Sequence, residues 1–270
     1  IDFYLMHALN RGSFEAMVKL GCVGRLEELK AQGKIRNLGF SFHDGYEAFE
    51  EILNYRDWDF CQIQLNYMDA DEQAGLRGYR LTEEKKVPLI IMEPVKGGSL
   101  AAFADDITGK FRGLDPEAST ASFAMRWVGS LPNVKVVLSG MSTMEQVEDN
   151  LKTFSSFKPL SPEESQAIDD IVALIRSRVR NGCTGCRYCM PCPAGVDIPG
   201  NFRVWNTYHM YQNYNMVKGR WERELGDTKQ AKNCIQCGKC EKACPQKLSI
   251  REDLKKVQAD LDKKEYVINK

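Results

Sequence analysis

Ten cysteines occur among 270 residues, and eight of them crowd into two runs near the end of the chain. The second run reads Cys234-Ile-Gln-Cys237-Gly-Lys-Cys240-Glu-Lys-Ala-Cys244-Pro245. This C-x2-C-x2-C-x3-C-P spacing suits an iron–sulfur cluster. The two-residue gaps let three thiolates wrap one face of a cubane, and the longer gap with Pro245 turns the fourth thiolate away. The first run, Cys183-Thr-Gly-Cys186-Arg-Tyr-Cys189-Met-Pro-Cys192-Pro193, repeats the design with one residue fewer before its last cysteine. Two alternatives rank behind iron–sulfur. Structural zinc usually takes two C-x2-C pairs well apart, and disulfides suit small secreted domains. Two [4Fe–4S] clusters on these eight cysteines are therefore expected. Cys22 and Cys61 stand alone and read as small buried hydrophobes in a helix and a strand.

The elements around them fall into two patterns. Up to about residue 160, short apolar strands alternate with amphipathic helices, which implies a parallel sheet covered by helices. The strands are expected at Ile1–His7, Ile35–Ser41, Phe60–Asn66, Val87–Glu93 and Val134–Ser139. The helices are expected at Phe14–Gln32, Tyr46–Leu53, Glu72–Lys86, Ala118–Gly129 and Thr143–Thr153. A connecting helix over 161–180 starts with Ser161 as cap and Pro162 in first position. Residues 181–270 hold the cysteines. Between the two runs, Phe202 to Trp221 is rich in aromatics at helical spacing, read as a packing face over the clusters. A charged amphipathic helix over about Ser249–Lys264 closes the chain.

The cysteine runs resemble those of two-cluster bacterial ferredoxins. That resemblance implies crossed ligation: Cys183, Cys186 and Cys189 with Cys244, and Cys234, Cys237 and Cys240 with Cys192. Residues 1–155 resemble the aldo/keto reductase superfamily, in order and without large gaps. Ile1–His7 resembles a strand ending in an active-site histidine. Gln32-Gly33-Lys34-Ile35-Arg36-Asn37-Leu38-Gly39-Phe40-Ser41 is similar to the approach to the next strand. Cys61-Gln62-Ile63-Gln64-Leu65-Asn66-Tyr67 and Met92-Glu93-Pro94-Val95-Lys96-Gly97-Gly98 resemble the strand after that and the loop that follows the seventh. Gly140-Met141-Ser142-Thr143 to Asn150 resembles the start of the last helix. The cysteine tail resembles a subgroup of these reductases that carries a ferredoxin-type domain.

The resemblance implies a TIM (β/α)8 barrel, of which this chain would supply about the last five βα units (1–160), followed by a small α-rich ferredoxin-like two-cluster domain. It implies NADP(H) or NAD(H) as cofactor and a small carbonyl or alcohol as substrate. His7 would help to bind the substrate carbonyl. Ser41 and Gln62 would hydrogen-bond the nicotinamide carboxamide, with Gln64 a weaker candidate on the same side of the strand. Met92 stands where a family tyrosine stacks on the nicotinamide. Asp149 and Asn150 match positions that contact adenine. Gly140 and Gln146 stand where many NADPH-dependent members place a lysine and an arginine around the 2′-phosphate. That departure removes charge-assisted contacts worth about 1.5–3 kcal/mol each.

The chain begins on an apolar strand without Met, and is read as a fragment whose upstream part carries the family's catalytic Tyr, Lys and Asp. By itself it is then expected to lack carbonyl reductase activity, and the inner face of its sheet, with Phe3, Leu5, Ile63 and Ile90, to lack its barrel neighbours. The formal net charge of +0 argues against nucleic acid or an anionic membrane as partner. No apolar run approaches a membrane span, and a cytoplasmic oxidoreductase is expected. A hydride carries two electrons and each cluster passes one. The clusters would therefore serve a substrate step, a redox partner protein or stability. The rival functional class is an electron-transfer protein whose barrel is only a docking platform.

Overall fold

The computed structural model describes residues 1–265. The chain forms two compact units, Ile1–Ala101 with Glu117–Ile168, and Ala102–Pro116 with Asp169 onward.

The first unit is built on five parallel strands, β1 (Phe3–Leu9), β2 (Asn37–Phe42), β3 (Phe60–Gln64), β4 (Leu89–Met92) and β5 (Val134–Val137), which lie side by side in chain order. Helices α1 (Arg11–Lys19) and α2 (Cys22–Ala31) follow β1, α3 (Tyr46–Tyr55) follows β2, and α4 (Gly75–Glu84) follows β3. Each parallel crossover needs such a helix. The α1–α2 pair corrects the single helix expected over Phe14–Gln32. Gly21 adopts a left-handed φ of 73° and breaks the run between two helical pieces. Local periodicity continues through such a break, because the apolar faces of both pieces point at the same sheet.

Strand pairing shows which side chains share a face. Met6 pairs with Phe40, Phe40 with Cys61, and Cys61 with Leu89. These residues pack with Phe42, Ile63 and Ile91 against Phe49, Ile52 and Leu53 of α3 in one buried core. Ile63 therefore belongs to the helix side, not to the inner face expected for it; side chains alternate strictly, and Gln62 and Gln64 take the other face. Phe3 does stand exposed on that opposite side, against the ring of Phe60. Gly39 is required where β2 meets β3. A Cβ there would lie 2.5 Å from the Phe60 carbonyl oxygen.

The second unit includes a helix that sequence periodicity did not mark, α5 (Asp105–Leu114). Phe103 just before it stacks on Phe111 and on Tyr211, and Asp106 pairs with Arg178. Back in the first unit, α6 (Thr120–Gly129) precedes β5 and α7 (Met144–Ser155) follows it. Both are capped by hydroxyls, Ser119 and Thr143. The connecting helix α8 (Pro162–Ser177) starts with the expected cap. Ser161 Oγ accepts from Glu164 N–H, and Glu164 accepts in return from Ser161 N–H, a reciprocal capping box.

In the second unit, α9 (Ile198–Tyr211) and α13 (Ile250–Lys263) clasp a core of Phe202, Trp205, Tyr208, Leu254, Val257 and Leu261. Short helices α10 (Tyr214–Gly219), α11 (Gly226–Lys229) and α12 (Lys239–Ala243) complete it. The aromatic stretch from Phe202 to Trp221 packs into this core. Cys183, Cys189, Cys192 and Cys234 lie along the edge of that core. No described helix is long and apolar enough to cross a membrane.

Candidate functional sites

The eight cysteines line two cavities. One is formed by Cys192 together with Cys234, Cys237 and Cys240. The other is formed by Cys183, Cys186 and Cys189 together with Cys244. Cys189 touches both. All eight are free thiols. Among the described residues no three His, Cys, Asp or Glu side chains converge tightly enough for a single ion. Four thiols around each cavity supply the all-sulfur donor set that a cubane takes, so the donor set fits iron–sulfur ligation.

The two loops share one backbone feature, although the sequences differ. The residue before the second cysteine has positive φ in both, Gly185 at 72° and Gln236 at 57°. So does the residue after it, Arg187 at 64° and Gly238 at 74°. Left-handed turns of this kind aim successive backbone N–H groups into a concavity that favours anionic groups such as cluster sulfides. Each loop uses glycine at only one of the two positions. The other carries a side chain at a cost of about 1–2 kcal/mol.

Charge is disfavoured on two of these thiols, Cys189 and Cys240. Burial pushes the Cys189 thiol up to about 11, and the nearby Cys183, Cys240 and Cys186 push in the same direction. Burial also raises Cys240. A metal bound there would displace these protons.

Asn181, read from the sequence only as the start of a break, proves to be a clamp. Its Oδ1 accepts from Cys183 N–H, its Nδ2 donates to Asp253 of α13, and its backbone N–H and C=O both bond the Asn206 amide of α9. An Asn-Gly pair carries no local sign of these distant partners. His209 braces the same helices through Asp260 at 2.8 Å.

On the sheet, the residues singled out from the sequence gather at the C-terminal ends of the strands. His7 is exposed, and its Nδ1 lies 3.4 Å from Ser41 Oγ. Ser41 Oγ accepts from Ala8 N–H at 2.7 Å, which leaves its own proton to donate. Gln62 makes only a weak bond, from Nε2 to the Met92 sulfur at 3.3 Å. Gln64 is committed at both ends. Its Nε2 donates to Asp69 and its Oε1 accepts from Gln73. Asp69 also holds Lys96 at 2.5 Å and Asn66 at 3.1 Å, and Gln73 reaches the exposed His43 at 3.2 Å. Sequence reading missed this polar network, whose members lie in three separate loops.

Farther along the chain, Gln146 Oε1 accepts from Ser142 N–H, Asp149 accepts from Ser119 Oγ, and Asn150 donates to Ser139 Oγ. Gly140 is open, with nothing near its absent Cβ. Lys135 and Lys152 donate to the Pro132 and Glu117 carbonyls. Cys61 is fully buried on the helix side, whereas Cys22 is only half-buried at the start of α2, less than expected.

A family model described as the aldo/keto reductase family matches residues 1–173. The chain belongs to that family. A second model, the 4Fe-4S dicluster domain, matches residues 182–248. A protein of Oryza sativa subsp. japonica described as a probable voltage-gated potassium channel subunit beta is 32% identical over 92 residues, 32% of this chain and 27% of that protein. The holo form of an aldo-keto reductase from Bacillus halodurans shares the fold at a TM-score of 0.50 and 22% identity, covering 63% of this chain and 60% of that one. Its apo form matches equally, covering 61% of that chain. This family member therefore spans less than two thirds of the length of each of these relatives.

Proposed function

We propose that this aldo/keto reductase chain is part of an oxidoreductase in which a partial (β/α)8 barrel that binds NADP(H) or NAD(H) is fused to a ferredoxin-like domain holding two [4Fe–4S] clusters. The observation that carries the reading is the division of eight free thiols between two cavities in a chain whose other unit has the family's sheet. The nicotinamide, when bound, supplies the hydride for a carbonyl or accepts it from an alcohol.

The residues of this chain would orient those groups. Ser41 keeps a donor proton and Gln62 an uncommitted carbonyl oxygen, which suits the two ends of a carboxamide. His7 at the neighbouring strand end is free to hydrogen-bond a substrate oxygen. Gln64 serves the site indirectly, as part of the polar network that holds Asp69 and Lys96. Met92 offers its sulfur and a flexible apolar surface in place of a stacking ring. Asp149 and Asn150 are proposed at the adenine end. Gly140 and Gln146 bring no cation to a 2′-phosphate, which reduces the advantage of NADPH over NADH.

The test is anaerobic purification followed by iron and sulfide analysis. About eight irons and eight acid-labile sulfides per chain are expected, with broad absorption near 400 nm. Stoichiometric zinc without that absorption would sink the reading.

A further inference from the structure

The two cavities differ in size and in the side chains at their mouths. The one lined by Cys192, Cys234, Cys237 and Cys240 is the wider, about 170 Å³ against about 20 Å³. Its lining also contains Tyr188 and Ile235, which are 72% and 67% exposed. Of the large hydrophobic side chains that stand exposed in this unit, these two are the most exposed. Exposed Pro191 and Pro193 continue the same rim. An apolar cluster of this kind is what the centre of an interface presents, and a polar rim normally surrounds it.

Lys239 lines that cavity, and the cysteine-bearing segments as a whole carry an excess of positive charge. Segments 182–196 and 234–248 carry the cations Arg187, Lys239, Lys242 and Lys247 against one carboxylate, Glu241. Glu241 is neutralised from within, because Arg251 donates to it from Nε at 2.8 Å and from its backbone N–H at 2.9 Å. Arg187 is partly engaged by Asp197 at 3.6 Å. Lys239, Lys242 and Lys247 are exposed and form no ion pair among the described residues. A chain with formal net charge +0 thus keeps unpaired positive charge around its cysteine loops.

We infer that the rim of Tyr188, Ile235 and Lys239, with Lys242 on the same short helix α12, is the docking face for an acidic one-electron carrier protein, and that the cluster held by Cys192, Cys234, Cys237 and Cys240 is its point of electron exchange. The inference rests on the iron–sulfur reading above. Positive charge steers the acidic partner, and the apolar pair is desolvated on contact. One electron leaves the carrier's reduced centre and enters the cluster, which goes from its 2+ to its 1+ state. No bond forms and no proton moves.

The probe is a reduced, strongly acidic [2Fe–2S] ferredoxin mixed with the anaerobic holoprotein in stopped flow, with its affinity measured separately by calorimetry. Cluster reduction is expected to slow steeply with added salt. The charge-reversed pair Lys239→Glu and Lys242→Glu should slow it and weaken binding about tenfold, and Tyr188→Ser with Ile235→Ser should weaken binding at unchanged salt dependence. Lys255→Glu, on α13 and outside the rim, should change neither. Iron and sulfide content is measured on the unaltered protein and on every variant, and an unaltered protein that holds no clusters sinks the iron–sulfur reading together with this one. Full cluster content with rates and affinity indifferent to both double variants would overturn the docking face alone. Faster reduction by a basic cytochrome-type carrier, strengthened by the charge reversals, would overturn it as well.

Discussion

In the sheet unit, the polar groups near the candidate nicotinamide position are held by one another. Gln64, Asp69, Asn66, Gln73 and Lys96 form a connected set of side-chain hydrogen bonds, and the core of Phe40, Phe42, Phe49 and Ile63 fills the helix side of the same sheet. In the cysteine unit, the thiols are held by backbone shape, with left-handed residues on either side of Cys186 and Cys237 and the Asn181 clamp behind the first loop. The difference shows where each unit keeps its order. The sheet draws on apolar burial that exists without a ligand. The cysteine loops gather thiols around two cavities, with burial raising Cys189 and Cys240, so much of their stability is expected to come from ligation.

The largest expected effect tests the thiol side of that contrast. Cys244→Ser should lose one cluster, leaving about four of eight irons. The double variant Cys244→Ser with Cys183→Ser should lose no more than the single one, because both side chains line the same cavity. Cys244→Ser with Cys192→Ser should lose both clusters. If instead the pairing of Cys244 with Cys183 empties the protein of iron, and the pairing with Cys240 does not, each run holds its own cluster.

Next in size is a cut into the sheet core. Phe49 is fully buried, 5.2 Å from the Phe42 ring and 6.0 Å from that of Phe40. Phe49→Ala should destabilise the sheet unit by about 3–5 kcal/mol, through lost burial and the cavity left behind. Urea unfolding followed by far-UV circular dichroism measures it. Iron content should stay at the wild-type level; a parallel loss of iron would show that the two units do not keep their order separately.

The smallest effect concerns the loop backbone alone. Gln236→Gly removes a side chain from a residue at φ 57° and should slow cluster loss to a chelator by a factor worth about 0.5–1 kcal/mol. Gly185→Ala, at φ 72° in the first loop, should act in the opposite sense. Equal rates in both variants would mean that left-handed strain does not limit the loops.

Some of this molecule is written in short stretches of chain. The cysteine spacing names its chemistry within a dozen residues, strand–helix alternation names a parallel sheet, and Ser161 with Glu164 announces the start of α8. These signals are local because the first three thiols of a cluster run, a βα unit and a capping box each take shape within a few turns. Tertiary structure decided the rest. Gly21 splits what periodicity read as one helix, and strand parity places Ile63 among Phe40 and Leu89 and leaves Gln62 and Gln64 on the opposite face. Residues 102–116 join the cysteine unit through Phe103, Phe111 and Tyr211, and Cys192 shares a cavity with thiols some forty residues later in the chain. Only the fold could show that Gln64 is bound at both ends while Gln62 is nearly free, or that Tyr188 and Ile235 stand out into water beside one cavity. Each of these depends on which distant groups meet. Hydrophobic period and residue spacing carry no record of those partners, because burial rewards any apolar contact while a hydrogen bond or a shared cavity requires one particular neighbour.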